Sequence, residues 1–177
     1  MSENLFSGPV MADLFQKNMR ILEAESDRGV VLVASSVIER ELTNLISSFL
    51  LPHDGKSDEI FKGASAPLAT LEAKILMAYR LGLIRPFIKD YLNIFRKIRN
   101  DFAHNIDTYS FSNQSVKNRL RDIYELRSDI AGLIEKYHVQ ASGREISDRN
   151  KFIFFFAIEM AALERARCDV ERILPLE

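Results

Sequence analysis

Cysteine occurs once in the 177 residues, at Cys168. One thiol forms neither an internal disulfide nor a thiolate metal cluster, so the chain is expected in a reducing compartment with Cys168 as inert core. Charge of either sign is not in surplus: 24 Lys and Arg stand against 25 Asp and Glu, which excludes an overall attraction for polyphosphate or an acidic membrane and leaves any basic surface local. No apolar run approaches the roughly 20 residues needed to span a bilayer, and "MSENLFSGPVMADLF" lacks a basic stretch leading into an apolar signal region. The expectation is a cytoplasmic protein with no membrane partner. His53, His104 and His138 stand far apart and no His/Asp/Glu group has ligand spacing, so no metal is expected. Phosphate-cradling glycine loops, a glycine-flanked serine and a cysteine–histidine motif are all missing, which leaves no cofactor to expect.

Glycine and proline are also scarce, and the seven glycines and five prolines fall between helical stretches rather than inside them. "MADLFQKNMRILEAE" carries Met11, Leu14, Phe15, Met19 and Leu22 on one stripe. "DRGVVLVASSVIERELTNLISSFLL" is apolar around most of its first half and reads as a central helix. Leu51 to Pro67 is a loop with one short helical turn; "LATLEAKILMAYRL" is a helix stopped by Gly82 as a left-handed cap. "RPFIKDYLNIFRKIRNDFAHN" opens on Pro86 and repeats apolar residues at three- and four-residue intervals from Phe87 to Phe102. A polar bend, "IDTYSFSNQ", precedes "SVKNRLRDIYELRSDIAGLIEKYHV", and "ASGREISD" precedes "RNKFIFFFAIEMAALERARCDVERIL". "FIFFF" alone could be a buried strand, but it runs without a breaker into a stretch too long for one. The fold class is therefore all-α, a bundle of about six helices forming a single domain over 1–177. Twelve phenylalanines on helices that already have wide apolar faces predict a homodimer or larger homo-oligomer.

The pair "LATLEAKILMAYRLGLIRPFIKDYL" has the outline of helix, glycine turn, helix. A recognition helix presents polar side chains to base edges from its first turns, whereas this one opens with Pro86, Phe87 and Ile88. Two packed helices are expected, with DNA binding weak or indirect.

"RKIRNDFAHN" concentrates the polar chemistry. On an ideal helix Arg96, Asn100 and His104 lie four apart on one stripe beside the buried stripe of Phe95, Ile98 and Phe102. Arg99 lies about 140° around the axis from His104, so the two meet only if the helix ends near Ala103 or across a two-fold interface. On one reading these residues form a structural polar cluster: Arg96 and Arg99 pair with Asp27, Glu39 or Glu41 on the long second helix, while Asn100 and His104 cap or bridge backbone. His104→Ala then damages the fold or the assembly, because a buried polar group loses its partner. On the other reading His104 is a general base or acid, Arg99 stabilises a phosphorane and Asn100 orients one of them, giving metal-independent RNA cleavage through the substrate's 2′-hydroxyl. Residue chemistry favours the structural cluster and no catalytic residue.

The same stretch carries two resemblances. "RNDFAH" is similar to the arginine, four residues, histidine signature of HEPN domains, which are all-helical dimers; this resemblance supports the ribonuclease alternative, the only reading in which RNA is a partner. Together, Glu25 to Ile46, Ala66 to Ile84 and "IFRKIRNDFAHN", in that order and spacing, resemble the mannitol operon repressor (MltR) family over roughly residues 10 to 135. That resemblance implies a bacterial cytoplasmic regulator, negative control of mannitol-utilisation genes, and a helical bundle without a standard DNA-binding motif. Control through a protein partner or an atypical DNA contact is the preferred expectation.

Overall fold

The computed structural model describes residues 8–55, 57–63, 65–105 and 110–175. Among them the chain is all-helical, with α1 (Pro9–Glu23), α2 (Asp27–Phe49), α3 (Leu71–Arg80), α4 (Pro86–His104), α5 (Gln114–Leu126), α6 (Ser128–Ser142) and α7 (Asp148–Ala166). The start of the N-terminal stretch and residues 106–109 of the polar bend lie outside the described residues. Local chemistry sets the helix ends. Ser26, Thr70 and Ser147 each accept an N–H from three residues on, the N-cap arrangement that satisfies an otherwise orphan donor. Pro9 and Pro86 occupy first-turn positions, where the missing N–H costs nothing. Gly82 (φ 73°) and Gly143 (φ 66°) follow the last turns of α3 and α6 in the left-handed conformation that a side chain disfavours.

The stretch expected as one helix from Ser115 to Val139 is two, broken at Arg127 (φ −131°, ψ 48°). Arg127 continues the buried stripe of Leu120, Ile123 and Tyr124, so its guanidinium is forced inside, where the bend lets it meet carboxylates. The last helix also stops early. After Ala166 the chain makes a 3-10 turn at Arg167–Asp169 and then runs extended, with the Ile173 N–H donating to Phe49 O at 2.9 Å at the end of α2. Cys168 sits on that turn and is exposed; its expected place in the core is corrected, because the helix that would have carried it inward has ended.

Helices α2 and α7 form the centre. α2 touches α1, α3, α4 and α7, and α7 touches α1, α2 and α6. "FIFFF" is helical, and its rings interlock with those of α4 and the segment before α5: Phe156 lies 4.4 Å from both Phe95 and Phe152, and Phe152 lies 5.1 Å from Phe111. Of the phenylalanines among the described residues, which are all but Phe6, seven are buried and none is among the exposed large apolar residues. The phenylalanine surplus is therefore used inside the chain; the exposed apolar surface belongs to other residues, among them Leu133, Tyr137 and Val139 of α6.

Candidate functional site

The apolar spacing of α4 buries Tyr91, Leu92, Phe95, Ile98 and Phe102 and leaves Arg96, Arg99, Asn100 and His104 along the flanks. Arg96 turns toward α3 and grips Glu72 with both terminal nitrogens, at 2.9 and 3.0 Å, a two-point contact that suits the planar guanidinium. Arg99 turns toward α2, where Nε donates to the buried Ser35 Oγ at 3.3 Å, while Nη1 donates to Asn100 Oδ1 at 3.0 Å. Among the described residues no carboxylate pairs with Arg99. One helical turn on, Arg28 of α2 donates to the Ala103 carbonyl at 3.1 Å, placing a cation at the negative end of α4.

The three expected carboxylate partners are engaged elsewhere. Asp27, in the first turn of α2, pairs with Arg149 at 3.2 Å and accepts the Phe111 N–H at 3.5 Å. Glu39 pairs with the buried Lys74 at 2.6 Å. Glu41, itself buried, accepts from Arg40 Nε at 2.8 Å and Asn44 Nδ2 at 3.3 Å. The cause is α3, which packs against both α2 and α4 and brings Glu72 to Arg96 and Lys74 to Glu39. The structure thus brings together Ser35, Arg99 and Asn100, and separates Arg96, Asp27, Glu39 and Glu41 into pairs of their own.

His104 is exposed at the last position of α4. The helix continues through it, so within one chain Arg99 and His104 stay about 140° apart around the axis. His104 is thus outside this chain's own core, and of the expected support for the fold or the assembly only a contact with another chain would draw on it. Substitution His104→Ala is expected to leave the unfolding free energy within about 0.5 kcal/mol of the wild type, as for other surface positions; a thermal melt checks it, and a loss above about 1 kcal/mol would restore a structural role.

Sequence reasoning missed a buried network at the far end of α4. Glu159 of α7 accepts a hydrogen bond from Tyr91 Oη at 2.7 Å and pairs with Arg127 Nη1 at 2.5 Å; Arg127 also pairs with Asp129 at 3.1 Å and stacks over Phe87 at 5.3 Å. All but Asp129 and Phe87 are nearly fully buried. Burial pushes the Glu159 carboxyl above its usual range, against the opposing pull of the Arg127 charge and the Tyr91 hydrogen bond. Burial likewise raises the Tyr91 hydroxyl, helped by the neighbouring Glu159. For Asp129 burial acts upward, but the hydrogen bond and charge of Arg127 outweigh it and the carboxyl is held low. The signal was present in the sequence: Glu159 is a lone carboxylate inside "FIFFFAIEMAAL", and Arg127 falls on the apolar stripe of α5. A charge in such a place needs an opposite charge inside.

Two clefts open beside α6. One, about 710 Å³, lies among α5, α6 and the start of α7 and mixes Lys117, Arg121, Glu125 and Lys151 with apolar residues. The other, about 610 Å³, lies between α1 and α6 over α7 and has no Asp, Glu, Lys or Arg in its lining. Among the described residues no group of three or more His, Cys, Asp or Glu is placed to hold a metal, and no helix is long and apolar enough to cross a membrane.

No family model matches the chain, and no curated protein sequence matches it. The fold is similar to that of a chain in the X-ray structure of the MtlR–HPr complex from Escherichia coli, with a TM-score of 0.61 and 14% sequence identity over 86% of this chain and 99% of that one. A likeness at that identity shows the fold.

Proposed function

We propose that this chain is a bacterial regulator of the mannitol operon repressor type, a single helical domain that exerts negative control through contact with a protein partner. The observation that carries the reading is the likeness of fold to a chain crystallised with HPr, spanning nearly the whole of that chain. The sequence resemblance over roughly residues 10 to 135 points the same way. Packing supports the absence of a recognition helix: α4 is wedged among α2, α3 and α5, its buried stripe from Tyr91 to Phe102 is fully covered, and Arg96 ties it to α3. The exposed edge that remains, Pro86, Asp90, Lys97 and His104, carries one Asp beside one Lys and lacks the row of polar side chains in its first turns that a major-groove helix presents.

The partner proposed is HPr, with the full-length chain as its ligand. Titration calorimetry with HPr from the same bacterium is expected to show saturable binding in the micromolar range or tighter, and no footprint by the isolated protein on its own promoter at nanomolar concentration. Absence of HPr binding at about 100 μM, together with such a footprint, would replace this reading with direct repression. The ribonuclease alternative needs two chains to bring Arg99 of one to His104 of the other. RNA cleavage without added metal, lost in both Arg99→Ala and His104→Ala while both variants melt normally, would establish it in place of the regulator.

A further inference from the structure

Helix α6 carries a glycine in its interior, Gly132, that no packing within the chain requires. A Cβ built on it meets nothing within 4 Å, and its backbone is not left-handed. An interior glycine weakens a helix relative to alanine, so its place calls for a reason outside the helix. Gly132 lines the cleft of about 710 Å³ among α5, α6 and the start of α7. Tyr124 lines the same cleft and is 9% exposed, with its ring held edge-on to Phe155 at 5.3 Å. Its hydroxyl is buried and has no hydrogen-bond partner among the described residues. Burial pushes that hydroxyl up, and the charges of Asp148 and Glu135 push it further; both carboxylates line the cleft, yet neither accepts its proton in a hydrogen bond. Buried polar groups are otherwise satisfied, so an orphan hydroxyl at a cleft is a position that a ligand can complete.

Charge is divided between the walls of this cleft. The α5 wall carries Lys117 and Arg121 with one carboxylate, Glu125. The facing wall, α6 and the start of α7, carries Glu135, Glu145 and Asp148 with one cation, Lys151. Lys151 is committed to Glu135 at 2.5 Å and lies 4.1 Å over the Tyr124 ring. The remaining charges are held loosely. Lys117 and Asp148 meet across the cleft at 3.6 Å with each nearly half exposed, Arg121 and Glu125 stand 4.0 Å apart, and Glu145 pairs with nothing among the described residues. Pairs as exposed as these contribute little to stability and are readily opened.

We propose that the cleft binds a zwitterionic small molecule with an apolar body, of amino-acid or dipeptide size. Its carboxylate sits on Lys117 and Arg121, its ammonium lies among Asp148, Glu145 and the Tyr124 hydroxyl, and its apolar part covers Leu120 and Ile146 in front of Gly132. The cross-cleft pair selects this class of ligand. An anion entering between Lys117 and Asp148 would take the lysine and strand the carboxylate, and a cation would do the reverse. A zwitterion replaces one loose pair with two and leaves neither charge alone. The cleft's size and its mixture of apolar wall and few convergent polar groups are those of a small-molecule site. The inference does not rest on the proposed protein partner and uses no residue of the Ser35–Arg99–Asn100 cluster.

The probes are leucine, phenylalanine and the dipeptide leucyl-phenylalanine, titrated into the full chain by calorimetry. At least one is expected to bind saturably with a dissociation constant below about 1 mM. Its N-acetylated form, which keeps only the negative charge, and its amidated form, which keeps only the positive one, are each expected to bind about tenfold more weakly or worse. Two variants change the cleft without loosening the fold. Tyr124→Phe removes a hydroxyl that no described residue uses, so Tm is expected to stay or rise while affinity falls about tenfold. Gly132→Leu places a good helix former where a side chain has open space, so melting is again preserved while binding is lost. Amide NMR shifts at saturation are expected on α5, α6 and the start of α7, and not on α3. No binding of any of the three probes at about 10 mM overturns the proposal. So do capped forms that bind as well as the zwitterion, or binding left unchanged in both variants. HPr binding is a separate measurement, so each inference fails on its own result.

Discussion

Glu159→Ala is expected to lower the unfolding free energy by about 3–5 kcal/mol, the range for breaking a buried ion pair by removing one partner. At the size of this chain that corresponds to a drop in Tm of roughly 6–20 °C. The reason is geometric: one side chain, 2% exposed, accepts from both Tyr91 and Arg127 and so ties α4, α7 and the α5–α6 bend together. Glu159→Gln is expected to be milder, because the amide keeps an acceptor for Tyr91 and Asp129 still pairs with Arg127. The raised carboxyl also fixes the sign of a pH effect. An acid whose pKa is higher folded than unfolded contributes stability that is complete below the ordinary value of 4.5 and is lost as pH rises through the raised folded value. Asp129, held low by Arg127, acts oppositely, and its contribution is lost only as pH falls below its ordinary 3.8. Urea unfolding between pH 4 and pH 7 is therefore expected to show the wild type losing ground relative to Glu159→Gln as pH rises. A Gln variant as damaged as the Ala variant, or a wild type gaining on Gln over that range, would show that the ionised carboxylate is the form the core prefers.

Phe152→Ala is expected to cost a similar 3–5 kcal/mol, the range for truncating a buried aromatic side chain. Its ring is fully buried and meets three others, Phe156 at 4.4 Å, Phe111 at 5.1 Å and Phe95 at 6.1 Å. The loss combines apolar transfer, the cavity left behind and the ring–ring contacts. Phe152→Leu keeps much of the volume and is expected to cost less than half as much. Chemical denaturation of both variants separates the outcomes: equal losses for Leu and Ala would mean that ring shape, not volume, fills the site.

The helical class and most boundaries could be read from the sequence because their determinants are local. Gly82, Pro86 and the three- to four-residue apolar spacing of α4 each act within a turn or two. The break at Arg127 was not readable in the same way. Arg127 on the apolar stripe signals a buried charge, but its partner Glu159 is 32 positions away, and the spacing of "NRLRDIYELRSDIAG" does not say that the helix ends there. The same limit applies to the cluster around Arg99. Which residues flank α4 was plain, but which cations and anions meet depends on α3 coming between α2 and α4, and that is a property of the packed bundle. His104 shows the opposite error. Its position next to a buried stripe invited a buried role, yet a helix's last residue lies where the packing surface ends.

The pairing of α7 with α1 and α2 has a consequence for the order in which the chain is made. Lys17 and Glu164, 147 positions apart, meet at 3.3 Å, and Asn18 donates to the Ala157 carbonyl at 3.4 Å. Helices α1 and α2 thus leave the ribosome before α7 and wait for it, on the order of ten seconds at ordinary bacterial elongation rates. During that interval Val31, Ile38 and Leu42 of α2, and then Phe95 of α4, lack the aromatic helix that finally covers them. Nascent chains arrested before Asp148 should therefore be sticky, held by chaperones and quickly degraded, whereas emergence of α7 converts them to the protease-resistant bundle in a single late step.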